Sequence, residues 1–217
     1  MARRLRGAAG ILKIGSQLFT AEGPQAVKEI AGLGFGVFLD LKFHDIPNTV
    51  AGSVAAGAEF PGIRLLTLHT LGGVDMMRAA AEAVAGRKRR PALLGVTILT
   101  SHDAATLRSV GIAGSPGSRA LALAKLAKRA GLDGVVASAH EARAIRRACG
   151  PKFLIVVPGV RPASASANDQ SRVATPAEAI RAGADYLVIG RPITGAADPR
   201  QVARAIGKEI SLAASAD

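Results

Sequence analysis

Two lysines and two aspartates recur at spacings that one polar site can use: Lys13, Asp40, Lys42 and Asp45. The run Asp40-Leu41-Lys42-Phe43-His44-Asp45-Ile46-Pro47-Asn48-Thr49 closes an apolar stretch that begins at Gly36. Side chains two apart on a strand share a face, so Asp40 and Lys42 are expected side by side, with Asp45 in the turn beyond. Lys13 interrupts Ile11-Leu12-Lys13-Ile14. A lysine among aliphatic neighbours must reach solvent or an acid, and Asp40 on the neighbouring strand is the natural partner. A Lys–Asp–Lys–Asp array follows, in which alternating charges keep each group ionised. Charged groups gathered at the end of an apolar strand are the arrangement expected of a catalytic site. The competing reading of Asp40 and Lys42 is a surface ion pair worth little. The stiff Ile46-Pro47-Asn48 turn after an otherwise apolar strand favours a site.

Two further stretches carry polar groups where strands end. In Ile189-Gly190-Arg191-Pro192-Ile193-Thr194, Gly190 allows close backbone approach to an anion, and Arg191 can grip a phosphate with paired hydrogen bonds. Alone this is a weak signal, equally readable as a tight turn with a solvated Arg. Val157-Pro158-Gly159-Val160-Arg161-Pro162, with Asn168-Asp169-Gln170 further on, has the small-residue composition of a mobile lid or of a plain surface loop. His69 ends a strand and reads as structural. His44 lies in the main motif with its side chain expected away from the pocket, and His102 and His140 read as surface or cap positions. No His/Asp/Glu spacing suggests a bound metal, and neither Gly-x-Gly-x-x-Gly nor Gly-x-Ser-x-Gly occurs.

The elements that must position these residues alternate between short apolar strands and Ala-rich helices. Strands are expected at Ile11–Ile14, Gly36–Phe43, Leu65–His69, Ala92–Ile98, Gly134–Ala137, Phe153–Val157 and Tyr186–Ile189. Helices are expected from Gly23 or Pro24 to about Leu33, and over Thr49–Glu59, Val74–Val84, Ala104–Val110, Gly117–Ala130, His140–Ala148, Pro176–Ala182 and Pro199–Ala213. Thr175 is a candidate N-cap ahead of Pro176, and residues 159–174 form the long loop. Apolar strands alternating with helices imply a parallel sheet covered on both faces. Seven strands fit either an open doubly wound sheet or a closed barrel short of one strand.

Composition narrows the classes. The chain has 217 residues, 49% hydrophobic and 20% charged, which suits one α/β domain with a sizeable core. Aromatics make up 3% and Trp is absent, so base-stacking platforms for single-stranded nucleic acid are not expected. Cys149 is the lone cysteine, which excludes an intramolecular disulfide and fits a reducing, cytoplasmic setting. The N-terminal Arg3, Arg4 and Arg6 precede no long apolar run, so neither a signal peptide nor a membrane span is expected. The net charge of +12 fits a nucleic-acid, membrane-surface or anionic-metabolite partner, or basic residues on solvated helix faces. The last is favoured, because the densest run, Arg87-Lys88-Arg89-Arg90, lies between a helix and a strand.

In order along the chain, Lys13-Ile14-Gly15, the Asp40–Thr49 run, Leu68-His69-Thr70, Val96-Thr97-Ile98-Leu99-Thr100-Ser101, Pro158-Gly159-Val160-Arg161-Pro162, Asp169-Gln170 and Ala182-Gly183-Ala184-Asp185 through Thr194 resemble the orotidine 5′-phosphate decarboxylase family. The resemblance spans nearly the whole chain and implies a single domain over residues 1–217. It implies a (β/α)8 TIM barrel, no cofactor, and loss of CO2 from orotidine 5′-phosphate to give UMP, the last step of de novo pyrimidine nucleotide synthesis. It implies Lys42 as proton donor, Asp40 near the departing carboxylate and Lys13 beside it. It also implies a homodimer with shared sites, in which Asp45, Ile46 and Thr49 serve the partner's substrate. Thr100 would contact the pyrimidine, and Arg161, Gln170, Gly190 and Arg191 the phosphate side. Family members usually begin with a strand ending in an Asp that contacts the ribose. Met1-Ala2-Arg3-Arg4-Leu5 looks like the end of the following helix, so the expectation is a barrel lacking its first strand. Sugar-phosphate decarboxylases and hexulose-phosphate synthases share the Asp-x-Lys-x-x-Asp pattern and generally need Mg²⁺. An inactive shortened relative and a basic nucleic-acid binder are the readings from other classes.

Overall fold

The computed structural model describes residues 1–162 and 174–215. It divides into two compact units, Met1–Val96 with Leu126–Gly134, and Thr97–Lys125 with Val135–Asp217. The strands follow one another in sheet order as they do in the chain.

The first unit carries strands β1 (Ile11–Gly15), β2 (Gly36–Phe43), β3 (Ile63–His69) and β4 (Ala92–Val96). Each pairs in parallel with the next. Helices α1 (Ser16–Glu22), α2 (Pro24–Gly32), α3 (Pro47–Ala58) and α4 (Gly73–Val84) alternate with them. Ile14, Leu39, Leu66, Leu68, Leu93 and Leu94 on the strands are buried, as are Val27, Val54, Met76, Met77 and Val84 on the helices. Burying each large aliphatic side chain contributes roughly 1.5–3 kcal/mol. At Gly57 an added Cβ would lie 2.8 Å from Leu66 and 3.5 Å from Leu39, so glycine is what lets α3 approach the sheet this closely.

The second unit holds β6 (Leu154–Pro158) and β7 (Tyr186–Val188), paired in parallel. The short β5 (Gly134–Val136) begins at the end of the first unit. Its helices are α5 (Ala104–Ser109), α7 (Ala139–Cys149), α8 (Pro176–Arg181), α9 (Arg191–Thr194) and α10 (Pro199–Ala214), while α6 (Pro116–Arg129) ends within the first unit. Ile98, Leu107 and Ala120 form a buried cluster with Ile112 and Leu123 against it. Capping is explicit. Ser138 with Glu141 and Thr175 with Glu178 each form a reciprocal capping box, and the Asp103 and Asp198 side chains accept from the first turns of α5 and α10. The expected Thr175 cap is therefore present.

All seven expected strands form, β2 with the expected ends and the other six with an end shifted by one or two residues. Two short helices were not expected, α1 and α9. α1 sits between Gly15 and Gly23, and Gly23 has φ 58, a break that hides seven helical residues from periodicity. α9 is a single turn behind Gly190, where the sequence reads as a strand-end turn. Ala2–Leu5 is a 3-10 turn.

Candidate active site

The registers of β1, β2 and β3 decide which side chains meet. Gly15 pairs with Asp40 and Lys13 with Phe38. The Lys13 side chain must therefore run along its own strand to reach the acid. It passes Gly15, where an added Cβ would stand 3.0 Å from its Nζ. Lys13 Nζ then lies 3.1 Å from Asp40 Oδ2, and Lys42 Nζ donates to the same oxygen at 2.8 Å. The Asp40 side chain is 10% exposed, against 37% and 36% for the two lysines. One carboxylate oxygen thus serves two partly exposed ammonium groups, leaving a local excess of one positive charge.

Burial pushes the Asp40 carboxyl up, but the hydrogen bond from Lys42 and the charges of Lys13 and Lys42 outweigh it and hold the group below its ordinary value of 3.8. Asp40 is ionised at neutral pH and presents negative charge to whatever approaches the lysines.

The expected strand alternation does not by itself bring Asp40 and Lys42 together. β2 pairs Leu39 with Leu66 and Phe43 with Leu68, so three residues of β2 stand opposite the single residue Thr67 of β3. Within this bulge Lys42 takes φ 54, the only positive φ at a non-glycine among the described residues. Thr67 is fully buried and bonds to both sides of the bulge: its Oγ1 accepts the Lys42 N–H at 3.0 Å and donates to Asp40 Oδ1 at 3.0 Å. Sequence reasoning missed Thr67. The available signal was a hydroxyl inside the apolar run Leu65-Leu66-Thr67-Leu68.

Beyond the strand the chain turns outward. Asp45 is exposed, and its Oδ1 accepts from the Ile46 N–H at 2.6 Å. It forms no ion pair with Lys13 or Lys42, so the array within one chain is Lys–Asp–Lys, three groups of the expected four. Ile46 is 66% exposed, and Thr49 is exposed in the first turn of α3. Pro47 opens that helix at N1, where its missing N–H costs nothing. The ring of His44 lies 5.5 Å from that of His69, tilted by 38°.

The other expected residues belong to the second unit. Thr100 is half-buried after β4. Arg161 is buried, and its N–H donates to the Ala174 carbonyl at 3.0 Å beside a bridge between Val160 and Ala174. Gly190 caps α9, with open space where a Cβ would stand, and Arg191 is exposed at the first position of that helix. Gln170 and most of the expected lid lie outside the described residues. Among the described residues no three His, Cys, Asp or Glu side chains are grouped to hold a metal ion, and no helix is long and apolar enough to cross a membrane.

Residues 1–206 match the sequence model of the orotidine 5′-phosphate decarboxylase / HUMPS family. The orotidine 5′-phosphate decarboxylase of Nitrosococcus oceani is 53% identical over 211 residues, covering 97% of this chain and 90% of that protein. That of Halorhodospira halophila is 55% identical over 202 residues, covering 93% and 85%. Among solved structures, orotidine 5′-phosphate decarboxylase from Lactobacillus acidophilus superposes with a TM-score of 0.80 at 39% identity, covering 91% of this chain and 85% of that one. An uncharacterized conserved protein from Geobacillus kaustophilus gives 0.81 at 39%, covering 96% and 93%. The fold is the (β/α)8 TIM barrel, as expected, with seven strands among the described residues.

Proposed function

The chain belongs to the orotidine 5′-phosphate decarboxylase / HUMPS family, and we propose that it converts orotidine 5′-phosphate to UMP and CO2 with the Lys13–Asp40–Lys42 cluster as its reaction centre. The observation that carries this reading is the sharing of one Asp40 oxygen by two half-exposed ammonium groups at the C-terminal ends of parallel strands, the end where barrels of this kind place chemistry.

Loss of CO2 leaves an electron pair on a ring carbon. The ammonium of Lys42, held at 2.8 Å from Asp40, is a fixed cation that stabilises this charge and then supplies the proton. Because its position is set before substrate arrives, no reorganisation is needed as charge develops. Asp40, ionised and nearly buried, lies beside the departing carboxylate; like-charge repulsion there raises the bound substrate relative to the transition state, where the carboxylate charge has moved onto the ring. Lys13 neutralises Asp40 and contacts the ribose side. No cofactor takes part in this scheme.

The remaining residues bind and orient. Thr100 contacts the pyrimidine, and Arg161, Gln170, Gly190 and Arg191 hold the phosphate. A homodimer with shared sites completes the array: Asp45, exposed and in no ion pair among the described residues, reaches with Ile46 and Thr49 into the site of a second copy. Ile46, 66% open to water, is the apolar side chain that such a contact would cover. A cytoplasmic setting is part of the same proposal.

The test is the ultraviolet change on conversion of orotidine 5′-phosphate to UMP, followed with a chelator present. Turnover unaffected by the chelator is expected. Turnover only with added Mg²⁺, or on a sugar phosphate alone, would move the chain to the other branch of its family.

A further inference from the structure

Thr67 lies in β3, and the bulge in β2 makes it the one residue opposite Asp40, Leu41 and Lys42. A buried hydroxyl without partners costs stability, so its bonding has to be accounted for. Its two bonds go to the two residues assigned to the chemistry. Because Oγ1 accepts the Lys42 N–H, its own proton is directed at Asp40 Oδ1. The other carboxylate oxygen receives both lysines. The carboxylate is thereby prevented from rotating, with Oδ1 tied to the sheet and Oδ2 turned to the ammonium groups. On the other side of the bulge, Thr67 anchors the backbone of Lys42 in its left-handed conformation, a state that is unfavourable for a side-chain-bearing residue and persists only where the surroundings hold it.

We propose that Thr67 is a positioning residue of the reaction: it sets the orientation of the Asp40 carboxylate and the backbone geometry from which Lys42 reaches its proton-donating position. This rests on the reading of the Lys13–Asp40–Lys42 cluster as the reaction centre. Thr67 touches no substrate. It acts through its neighbours, so its removal lowers the rate of the bound complex more than it weakens binding.

The experiment compares Thr67→Val, which keeps the shape and removes the hydroxyl, with Thr67→Ser, which keeps the hydroxyl. For T67V, kcat is expected to fall at least about tenfold with KM changed less than about threefold, while T67S recovers most of the rate. The second readout needs no turnover: in carboxyl-labelled protein the Asp40 NMR titration midpoint rises in T67V and stays near wild type in T67S, since a lost hydrogen bond destabilises the charged form. Should T67V not fold, Thr67→Cys, with its weak donor, replaces it. Wild-type rates in T67V with an unmoved midpoint would overturn the proposal. So would equal rate losses in both variants with the midpoint unmoved, which describe a structural threonine only. Wild-type protein inert toward orotidine 5′-phosphate would remove the reading of the reaction, and the Asp40 titration would still decide what Thr67 does to the carboxylate.

Discussion

Aspartate meets a basic side chain at both ends of the strands, and the two ends handle the pair differently. At the N-terminal ends, Asp133 precedes β5 and receives two bonds from Arg90 at 2.6 Å each. It also accepts the Leu93 N–H of β4 at 2.8 Å, while its own N–H returns to the Leu93 carbonyl at 3.1 Å. The second unit repeats the device: Asp185 precedes β7, accepts from Arg146 at 2.6 Å and from the Ile155 N–H of β6 at 2.7 Å, and donates to the Ile155 carbonyl at 2.9 Å. The sequences around them, Ala130-Gly131-Leu132-Asp133 and Ala182-Gly183-Ala184-Asp185, are nearly the same. In both, each carboxylate is matched to a guanidinium and to the backbone of the strand it pins. At the C-terminal ends Asp40 meets two lysines on one oxygen, and the lysines keep donors to spare. A clamp ties its carboxylate to a guanidinium and to the backbone of the neighbouring strand, whereas the reaction centre sets two ammonium groups on one carboxylate oxygen and keeps their other donors in reserve. Arginine suits the first because its fork is fixed and bidentate, and lysine the second because it is a compact charge that can give up a proton.

The comparison breaks most visibly if a cluster lysine can be removed without loss of chemistry. Lys42→Ala is expected to lower kcat/KM by about 10³-fold or more, the combined scale of a lost electrostatic stabiliser and a lost acid. Its circular dichroism and melting profile should stay native, because the side chain is more than a third exposed. Near-normal turnover would show that the lysine is one more clamp.

The array is also expected to be finished by a second chain. Asp45→Asn and Lys42→Ala homodimers should each be nearly inactive. In an equimolar exchanged mixture, half of the dimers are hybrids with one intact site each, so about a quarter of wild-type activity should return. No recovery in a mixture proven to exchange would mean that Asp45 is spent in its own turn.

A clamp should fail in the opposite way. Arg146 donates to the carbonyls of Gly150, Pro151 and Phe153 and, through its other nitrogen, to Gly183 and Asp185. Arg146→Ala should destabilise the protein by on the order of 2–4 kcal/mol in urea unfolding, since several part-buried acceptors lose a charged donor together. The kcat of the fraction still folded should hardly change. A large fall in kcat with stability intact would erase the distinction between the two ends.

Acid separates them more finely. Asp40 in the folded chain titrates below its ordinary value of 3.8, because the lysine contacts outweigh burial. A depressed folded value means that the group stabilises the protein above the unfolded value, and that this contribution is lost as pH falls through the folded one. The stability difference between wild type and Asp40→Asn is therefore expected to be largest near neutrality and to shrink as pH drops below about 4. A difference that grows with acid would place the Asp40 carboxyl above its ordinary value, contrary to its lysine contacts.

How much of this was legible in the sequence follows from the range of each interaction. The strands were legible because apolar runs report burial locally, and the Thr175 cap because a cap is written in four consecutive residues. Lys13, Asp40 and Lys42 were legible as charges interrupting apolar strands. The bulge was not: it arises from the register between β2 and β3, and the left-handed Lys42 is recorded in no residue preference. Thr67 was hidden for the same reason, since a threonine in a strand ordinarily needs no explanation. The clamps were missed because Arg90 and Asp133 are 43 residues apart and Arg146 and Asp185 are 39 apart.

The smallest expected effect probes how tightly the reserve is held. Gly15 pairs with Asp40 and borders the path of the Lys13 side chain. In Gly15→Ala the new Cβ stands 3.0 Å from Lys13 Nζ, the free end of a flexible chain, which can give way by a few tenths of an ångström. The backbone there, at φ −90 and ψ 177, accepts alanine without strain, so stability should stay within about 0.5 kcal/mol of wild type. What changes is the Lys13–Asp40 contact, now 3.1 Å. A small displacement of one charge next to the reacting group should lower kcat about two- to fivefold. No change at all would mean that the Lys13 ammonium serves the cluster from a range of positions, as a clamp partner can. A loss nearer a hundredfold would mean that substrate lies against the Gly15 backbone itself, and that the new methyl group excludes it.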